Sequence, residues 1–207
     1  MKKWYETLTL PNILTLARLI ISPIVIPFLM VYLLPFNIVF INFFLAILFL
    51  LFGLTDFFDG YYARKWGQVT QLGATLDPIA DKFLLCATLI SLIAAQKIYF
   101  YWVVILIGRE FFVMGLRSIA SERHFSIPVS WFAKIKTTVE IFYIAFVIGY
   151  IPSAQVGFFH FYNMIYYGLL WSTLGLSLFT AYRYYIYFIT HINHIETKEH
   201  VFYDNKM

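Results

Sequence analysis

The chain has 207 residues, of which 61% are hydrophobic and 13% are charged, and its formal net charge is +4. This composition argues against a chain made of several soluble domains and favours a single membrane domain. A single cysteine, Cys86, excludes an internal disulfide. The positive charge suits an anionic membrane surface and anionic substrates, and nothing in the sequence indicates nucleic-acid binding.

Six long apolar segments are predicted, preceded by a short interfacial helix over residues 1–10. Their approximate bounds are 12–34, 38–65, 74–96, 98–121, 131–151 and 157–189. A polar tail is expected over 190–207, and its histidines are interpreted as solvated rather than metal-binding. The predicted fold is an all-α integral membrane protein, one domain over 1–207 with six transmembrane helices spanning 12–189.

Four aspartates lie close together, although a charged side chain near lipid costs about 2.5–3.5 kcal/mol. Asp56 and Asp59 are three residues apart and Asp77 and Asp81 are four apart, so each pair shares a helix face. The polar run 65–73 predicts a reversal between two antiparallel helices, which would bring the pairs together. Two Mg²⁺ or Mn²⁺ ions would neutralise four carboxylates, and oxygen ligands suit both ions.

Other roles for carboxylates in such a chain have different sequence patterns. Asp77 precedes Pro78, as an N-cap precedes proline at the first helical position, so Asp77 fits a cap as well as a ligand. The other three aspartates have no such structural explanation. A divalent-cation transporter would spread its carboxylates through the membrane depth, whereas these four crowd one side.

The whole stretch carries a family resemblance. Asp56-x2-Asp59-Gly60-x2-Ala63-Arg64-x8-Gly73-x3-Asp77-x3-Asp81 resembles the signature of the CDP-alcohol phosphotransferases at every specified position. The resemblance implies transfer of a phosphatidyl or related phospho group from a CDP-linked donor to an alcohol, with release of CMP.

The resemblance also implies roles for individual residues. Two metal ions would be held by Asp56, Asp59 and Asp77. Asp81 would touch one ion or stand just off it, and it is the candidate base for the acceptor hydroxyl. The CDP donor site would be lined by Gly60, Ala63, Arg64 and Gly73.

A second group of charged residues is predicted to bind an acceptor that itself carries phosphate, because Arg and Lys are the usual phosphate ligands. Its members are Arg18, Arg109, Arg117, Lys134 and Lys136. The structural alternatives are that Arg18 snorkels to the interface, that Arg109 pairs with a Glu between helices, and that Arg117 and Lys134 contact lipid head groups.

Flanking motifs resemble the phosphatidylglycerophosphate synthase branch of the family over roughly residues 8–140. They are Leu10-Pro11-Asn12-Ile-Leu-Thr15-x2-Arg18, Gly108-Arg109-Glu110, Leu116-Arg117 and Val129-Ser130-Trp131-x2-Lys134-x-Lys136-Thr137-Thr138. The resemblance implies CDP-diacylglycerol as donor, sn-glycerol 3-phosphate as acceptor, membrane lipids as surroundings and a homodimer. Cardiolipin synthases, which use phosphatidylglycerol as acceptor, share part of these motifs and are the main alternative. Other phosphatidyltransferases and a catalytically silent lipid-binding module are less favoured.

Basic residues predict the orientation. Lys and Arg cluster on one side of the six-helix arrangement, and Lys97 is the only Lys or Arg in the predicted loops on the opposite side. By the positive-inside rule, both termini and the aspartates face the cytoplasm, which predicts an integral protein of the cell (inner) membrane.

Overall fold

The computed structural model describes residues 24–51, 71–151 and 159–204, with side chains over 24–51, 82–151 and 160–192. Most of these residues are helical, and none of them forms a strand. The helices are α1 (24–33, continued by a 3-10 turn Leu34–Phe36), α2 (Val39–Leu51), α3 (Gln71–Ala94), α4 (Phe100–Glu122), α5 (Trp131–Gly149) and α6 (Phe159–Asp204).

Local chemistry explains where the helices end. After α3, Gln96 takes a left-handed conformation (φ 57°) and the Lys97 amide donates to the Leu92 carbonyl at 2.9 Å, which closes a Schellman turn. After α4, His124 (φ 60°) ends the helix in the same way. At the start of α5, the Ser130 hydroxyl accepts a hydrogen bond from the Ala133 amide at 3.2 Å, as an N-cap does.

The last helix, α6, is much longer than the predicted sixth segment. It runs for 46 residues, so the residues expected to form a polar tail continue the helix as far as Asp204. No proline interrupts this stretch. Its buried residues recur every three or four positions, at Leu170, Leu174, Ser177, Ala181, Tyr184 and Phe188. Small residues within this stripe allow close helix packing.

Within the described ranges, one helix stretch, His160–Ile192, is long and apolar enough by itself to cross a membrane. The predicted spans α4 and α5 have sufficient length, 23 and 19 residues, but contain several charged side chains. Large apolar side chains face outward throughout the described chain, for example Phe40 at 78% exposure and Trp131 at 70%. Such extensive exposed apolar surface is typical of proteins that contact lipid.

The chain divides into two compact units. The first unit comprises Met1–Val103 and Ile141–Tyr166, and the second comprises Val104–Glu140 and Tyr167–Met207. In the first unit, three helix connections meet at Lys97. Its ammonium donates to the Asn37 side chain at 3.3 Å and to the Tyr150 carbonyl, while the Tyr166 hydroxyl donates to its carbonyl at 3.2 Å. The turns after α1, α3 and α5 therefore lie together, as expected for antiparallel neighbours.

A second sequence-based interpretation, besides the polar tail, is also wrong. Asp77 is not an N-cap, because α3 begins six residues earlier at Gln71 and continues through Asp77 and Pro78. Proline removes one backbone donor from a helix interior, but helices in membrane proteins often tolerate it. The proposed reversal over 65–73 correspondingly ends earlier than expected, since Gly73 already belongs to α3. The interfacial helix over 1–10 lies outside the described residues.

Candidate functional site

The aspartate signature is partly described. Asp77 and Asp81 lie on one uninterrupted helix, α3, where four residues correspond to about one turn. The expectation that they share a helix face is therefore confirmed at the level of the backbone. The remaining signature residues, Asp56, Asp59, Gly60, Ala63 and Arg64, lie outside the described residues, and so does Arg18.

Two of the predicted acceptor cations belong to a buried ionic network in the second unit. Arg109 and Glu110 are adjacent on α4, and the Arg109 Nη1 lies 2.5 Å from Glu110 Oε1. Lys136 on α5 forms ion pairs with Glu110 and with Glu140, the latter at 2.6 Å. The network thus connects α4 to α5 through alternating charges, and its formal charge is zero.

A third helix completes this network. The Arg109 Nε donates to the backbone carbonyl of Ser177 at 3.1 Å, and its Nη2 donates to the Thr180 hydroxyl at 2.6 Å. Both acceptors lie on α6, about 70 positions further along the chain. Thr180 is able to accept because its own hydroxyl hydrogen is directed to α6 carbonyls. Arg109 therefore joins α4 to α6 while it pairs with Glu110.

Burial makes these contacts energetically important. Lys136 is 2% exposed and Glu140 1% exposed, and the Glu110 side chain is 14% exposed. An isolated charge at such a depth is strongly disfavoured, whereas a paired and hydrogen-bonded charge is tolerated. Among the described residues, the second carboxylate oxygen of Glu140, Oε1, is buried without a hydrogen-bond partner.

Sequence reasoning missed two members of this network, Glu140 and Thr180. The separation of Lys136 and Glu140 by four residues on a predicted helix was a usable signal, because such pairs lie on the same face. No comparable signal identified Thr180, since its partner Arg109 lies on a different helix. The structural alternative for Arg109, pairing with a Glu between helices, is only partly observed. Its Glu partner is Glu110 on the same helix, and its contacts to another helix are with Ser177 and Thr180 on α6.

The other two described cations are in a different environment. Arg117 and Lys134 are exposed, and within the described part of the chain neither has a carboxylate partner. Arg117 donates to the Ile127 carbonyl at 3.3 Å, and its guanidinium lies 6.0 Å from the centre of the Tyr184 ring. These contacts hold the connection between α4 and α5. They leave the charge of Arg117 available to an anion, and the same holds for Lys134.

The arrangement separates the predicted basic residues into two kinds. The buried pair, Arg109 and Lys136, is neutralised by carboxylates and links three helices. The exposed pair, Arg117 and Lys134, has no carboxylate partner in the part of the chain that the structure describes. Binding of a phosphate requires unneutralised donors, so the exposed pair is the better equipped of the two for first contact.

Comparison with known proteins gives a consistent result. The profile of the CDP-alcohol phosphatidyltransferase family matches residues 8–179. A protein of Rickettsia felis is 36% identical over 181 residues, covering 85% of this chain and 93% of the relative. A protein of Rickettsia prowazekii shows the same identity and coverage. A protein of Escherichia coli K12 is 34% identical over 145 residues, 67% of this chain and 76% of the relative. All three are named CDP-diacylglycerol–glycerol-3-phosphate 3-phosphatidyltransferase.

Proposed function

Because this chain belongs to the CDP-alcohol phosphatidyltransferase family, we propose that it transfers the phosphatidyl group of CDP-diacylglycerol to sn-glycerol 3-phosphate. The products are phosphatidylglycerophosphate and CMP. The observation that carries this proposal is the 36% identity, over 85% of the chain, to relatives named for that reaction. The complete aspartate signature in this sequence argues for an active enzyme rather than a silent lipid-binding module.

The donor site is assigned to the signature residues. Asp56, Asp59, Asp77 and Asp81 would hold two Mg²⁺ or Mn²⁺ ions, which supply positive charge to the pyrophosphate and to the departing CMP. The continuity of α3 through Asp77 and Asp81 fits this role, because two carboxylates one helical turn apart can serve a common site. The CDP group is assigned to Gly60, Ala63, Arg64 and Gly73.

Asp81 is assigned the proton transfer. Its carboxylate accepts the proton of the acceptor hydroxyl, whose oxygen attacks the phosphorus that bears diacylglycerol. The bond from that phosphorus to CMP breaks on the opposite side, so the phosphatidyl group moves to the acceptor and CMP leaves.

The acceptor phosphate is assigned to the basic residues, with different tasks for each kind. Arg117 and Lys134 would contact the phosphate directly, because both are exposed and neither is neutralised by a described carboxylate. Arg109 and Lys136 would support the site from within the network, since both already make buried contacts. Lys136 pairs with two carboxylates, and Arg109 donates to Glu110, Ser177 and Thr180. Arg18 is assigned to the same phosphate on the basis of the family resemblance.

We further propose that six helices cross the cell (inner) membrane, with both termini and the aspartates on the cytoplasmic side. The meeting of the three opposite connections at Lys97 supports this alternation. The strong bias of Lys and Arg to the other side supports the orientation. A homodimer is proposed from the family resemblance.

The experiment that tests the function is CMP release by the purified protein with CDP-diacylglycerol and Mg²⁺ and a panel of acceptors. We expect release with sn-glycerol 3-phosphate and none with phosphatidylglycerol, myo-inositol phosphate or serine. Release only with phosphatidylglycerol would make the protein a cardiolipin synthase. Absence of release with every acceptor, despite metal-dependent binding of the donor, would favour the silent module.

The residue assignments are tested in the same assay. Asp81→Asn is expected to abolish turnover while CDP-diacylglycerol still binds; loss of donor binding would make Asp81 primarily a metal ligand. Arg117→Gln and Lys134→Gln are each expected to raise KM for sn-glycerol 3-phosphate about tenfold, with little effect on KM for the donor. Arg123→Gln, an exposed arginine on the α4–α5 connection, is the matched control. An unchanged KM in both test variants would remove them from the acceptor site.

A further inference from the structure

A groove lies along one face of α6, in the second unit. It has a volume of about 350 Å³ and is lined by Tyr182, Arg183, Ile186, Tyr187, Thr190 and His191. These six residues form two neighbouring rows in which each residue is four positions from the next, so the groove follows the helix axis. Of the predicted acceptor cations that the structure describes, none lines it.

The groove is positively charged. Arg183 is exposed, and its guanidinium lies 5.3 Å from the centre of the Phe132 ring. Stacking on an aromatic ring covers the flat face of a guanidinium but leaves its N–H edge free to bind an anion. Among the side chains that the structure describes, no carboxylate lines the groove and Arg183 has no ion pair. The groove therefore favours a ligand with net negative charge over a zwitterionic one.

His191 lies at the other end of the groove. Its Nδ1 is 2.9 Å from the Tyr187 carbonyl, which can only accept, so Nδ1 carries a hydrogen. The ring is held between aromatic neighbours, with centroids 3.9 Å from Tyr187 and 6.1 Å from Phe125. This arrangement fixes the ring and leaves Nε2 for a ligand. A second polar group thus faces the groove about 12 Å along the axis from Arg183.

The position of the groove along α6 corresponds to the level of a membrane interface. The apolar stretch His160–Ile192 has 33 residues, or about 50 Å of helix, whereas the hydrocarbon core of a bilayer is about 30 Å thick. Arg183 follows His160 by about 35 Å, which is beyond the thickness of the core. Tyrosines cluster around it at positions 182, 184, 185 and 187, as in the aromatic belt of a membrane interface. Phosphates of lipids are the abundant anions at this depth.

We propose that this groove binds one anionic phospholipid, through residues that do not belong to the aspartate signature. The lipid phosphate contacts the N–H edge of Arg183, and the polar head group extends toward His191. The acyl chains run in the opposite direction, along the exposed apolar side chains Leu178 and Phe179, one turn earlier on α6. Tyr182 and Ile186 provide the apolar wall for the glycerol backbone.

The test uses the full-length protein, purified in detergent and stripped of lipid. Phosphatidylglycerol, phosphatidylcholine and inorganic phosphate are each titrated, and bound lipid is counted by native mass spectrometry. We expect one phosphatidylglycerol to bind more tightly than phosphatidylcholine and to remain bound in excess inorganic phosphate. Arg183→Gln should weaken this binding about tenfold, through loss of a charge-assisted contact. Arg123→Gln, which removes an exposed arginine elsewhere in the second unit, should bind like the wild type.

Several results would overturn the proposal. Equal retention of phosphatidylglycerol by the wild type and Arg183→Gln would do so, as would equal losses in Arg183→Gln and Arg123→Gln. Displacement of the lipid by inorganic phosphate would indicate a site for free phosphate, and a change of oligomeric state in Arg183→Gln would indicate a protein partner in the groove.

A variant that keeps the charge distinguishes the loss of a specific contact from misfolding. Arg183→Lys retains a cation but loses the planar fork, so its affinity should lie between those of the wild type and Arg183→Gln. CMP release at saturating substrate should remain near the wild-type rate in both variants, since Arg183 is outside the proposed catalytic machinery. If the variants lost both CMP release and lipid binding, the groove would be part of the catalytic site. The proposal of a lipid site that is not needed for catalysis would then be overturned.

Discussion

The two compact units each bury a lysine, but in different electrostatic environments. Lys136, in the second unit, is 2% exposed and lies between two carboxylates. Lys97, in the first unit, is 8% exposed and donates to an amide oxygen and a backbone carbonyl, with no carboxylate partner among the described residues. Burial lowers the pKa of Lys97 from 10.5 to about 8.

These two lysines show two ways in which this chain accommodates a buried cation. A lysine between carboxylates exchanges its hydration for ion pairs, and removal of either partner leaves an uncompensated charge. A lysine that has only neutral acceptors retains much of the cost of desolvation, which appears as a lowered pKa. We therefore expect the stability of the second unit to depend on Lys136. In the first unit, Lys97 connects the turns between helices through hydrogen bonds to neutral acceptors.

Removal of the paired lysine should have the largest effect on stability. Lys136→Met leaves Glu140 buried without a cation, and we expect the free energy of unfolding to fall by about 3–5 kcal/mol. Unfolding in detergent by a denaturing surfactant, followed by circular dichroism, measures this loss. Lys134→Met, which removes an exposed lysine from the same helix, is the control and should be nearly neutral. Equal losses in the two variants would contradict the network, and Glu140→Gln added to Lys136→Met should recover part of the stability.

A smaller loss is expected at the α6 end of the network. Thr180→Val keeps the shape of the side chain but removes the acceptor of Arg109 Nη2. Hydrogen bonds to charged groups contribute about 1.5–3 kcal/mol, so the same unfolding measurement should show a loss of that order. Thr137→Val is the control, because Thr137 is exposed and its hydroxyl donates only to a carbonyl of its own helix. An unaffected Thr180→Val would mean that Ser177 and Glu110 suffice to hold Arg109.

The lowered pKa of Lys97 predicts a pH dependence. Between pH 8 and 10.5 the folded protein loses the proton of Lys97 while the unfolded chain retains it, so stability should rise with pH across this interval. The gain should be about 1–2 kcal/mol, since partial contact with solvent screens the penalty. Unfolding midpoints at pH 8 and 10 measure it, and Lys97→Met should lack this component of the slope. Parallel slopes in the two proteins would rule out Lys97 as its source.

Replacement of Lys97 should have the smallest effect at neutral pH. Lys97→Met gives up the contacts with Asn37 and Tyr150 but also removes a buried charge, and these effects oppose each other. We expect the free energy of unfolding at pH 7 to change by no more than about 1 kcal/mol. A loss as large as that of Lys136→Met would show that the two lysines stabilise their units equally, despite their different partners.

Particular elements illustrate what could be predicted for the fold. The bounds of α4 and α5, Phe100–Glu122 and Trp131–Gly149, differ by at most two residues from the predicted 98–121 and 131–151. Apolar length and polar interruptions suffice there, because the capping residues are local in sequence. The end of α6 was misjudged, since a charged and polar composition can occur in an exposed helix as well as in a tail.

The candidate site likewise has some features that the sequence predicts and others that it does not. The helical class, the spacing of Asp77 and Asp81, and the signature that defines the family can all be read from the sequence, because they depend on local order along the chain. Which cations are neutralised depends instead on how the helices pack. Arg109 meets Thr180 and Lys136 meets Glu110 because of the rotation and axial offset of packed helices, which no local pattern specifies. Packing thus separated a set of similar basic residues into buried residues that link helices and residues that stay exposed.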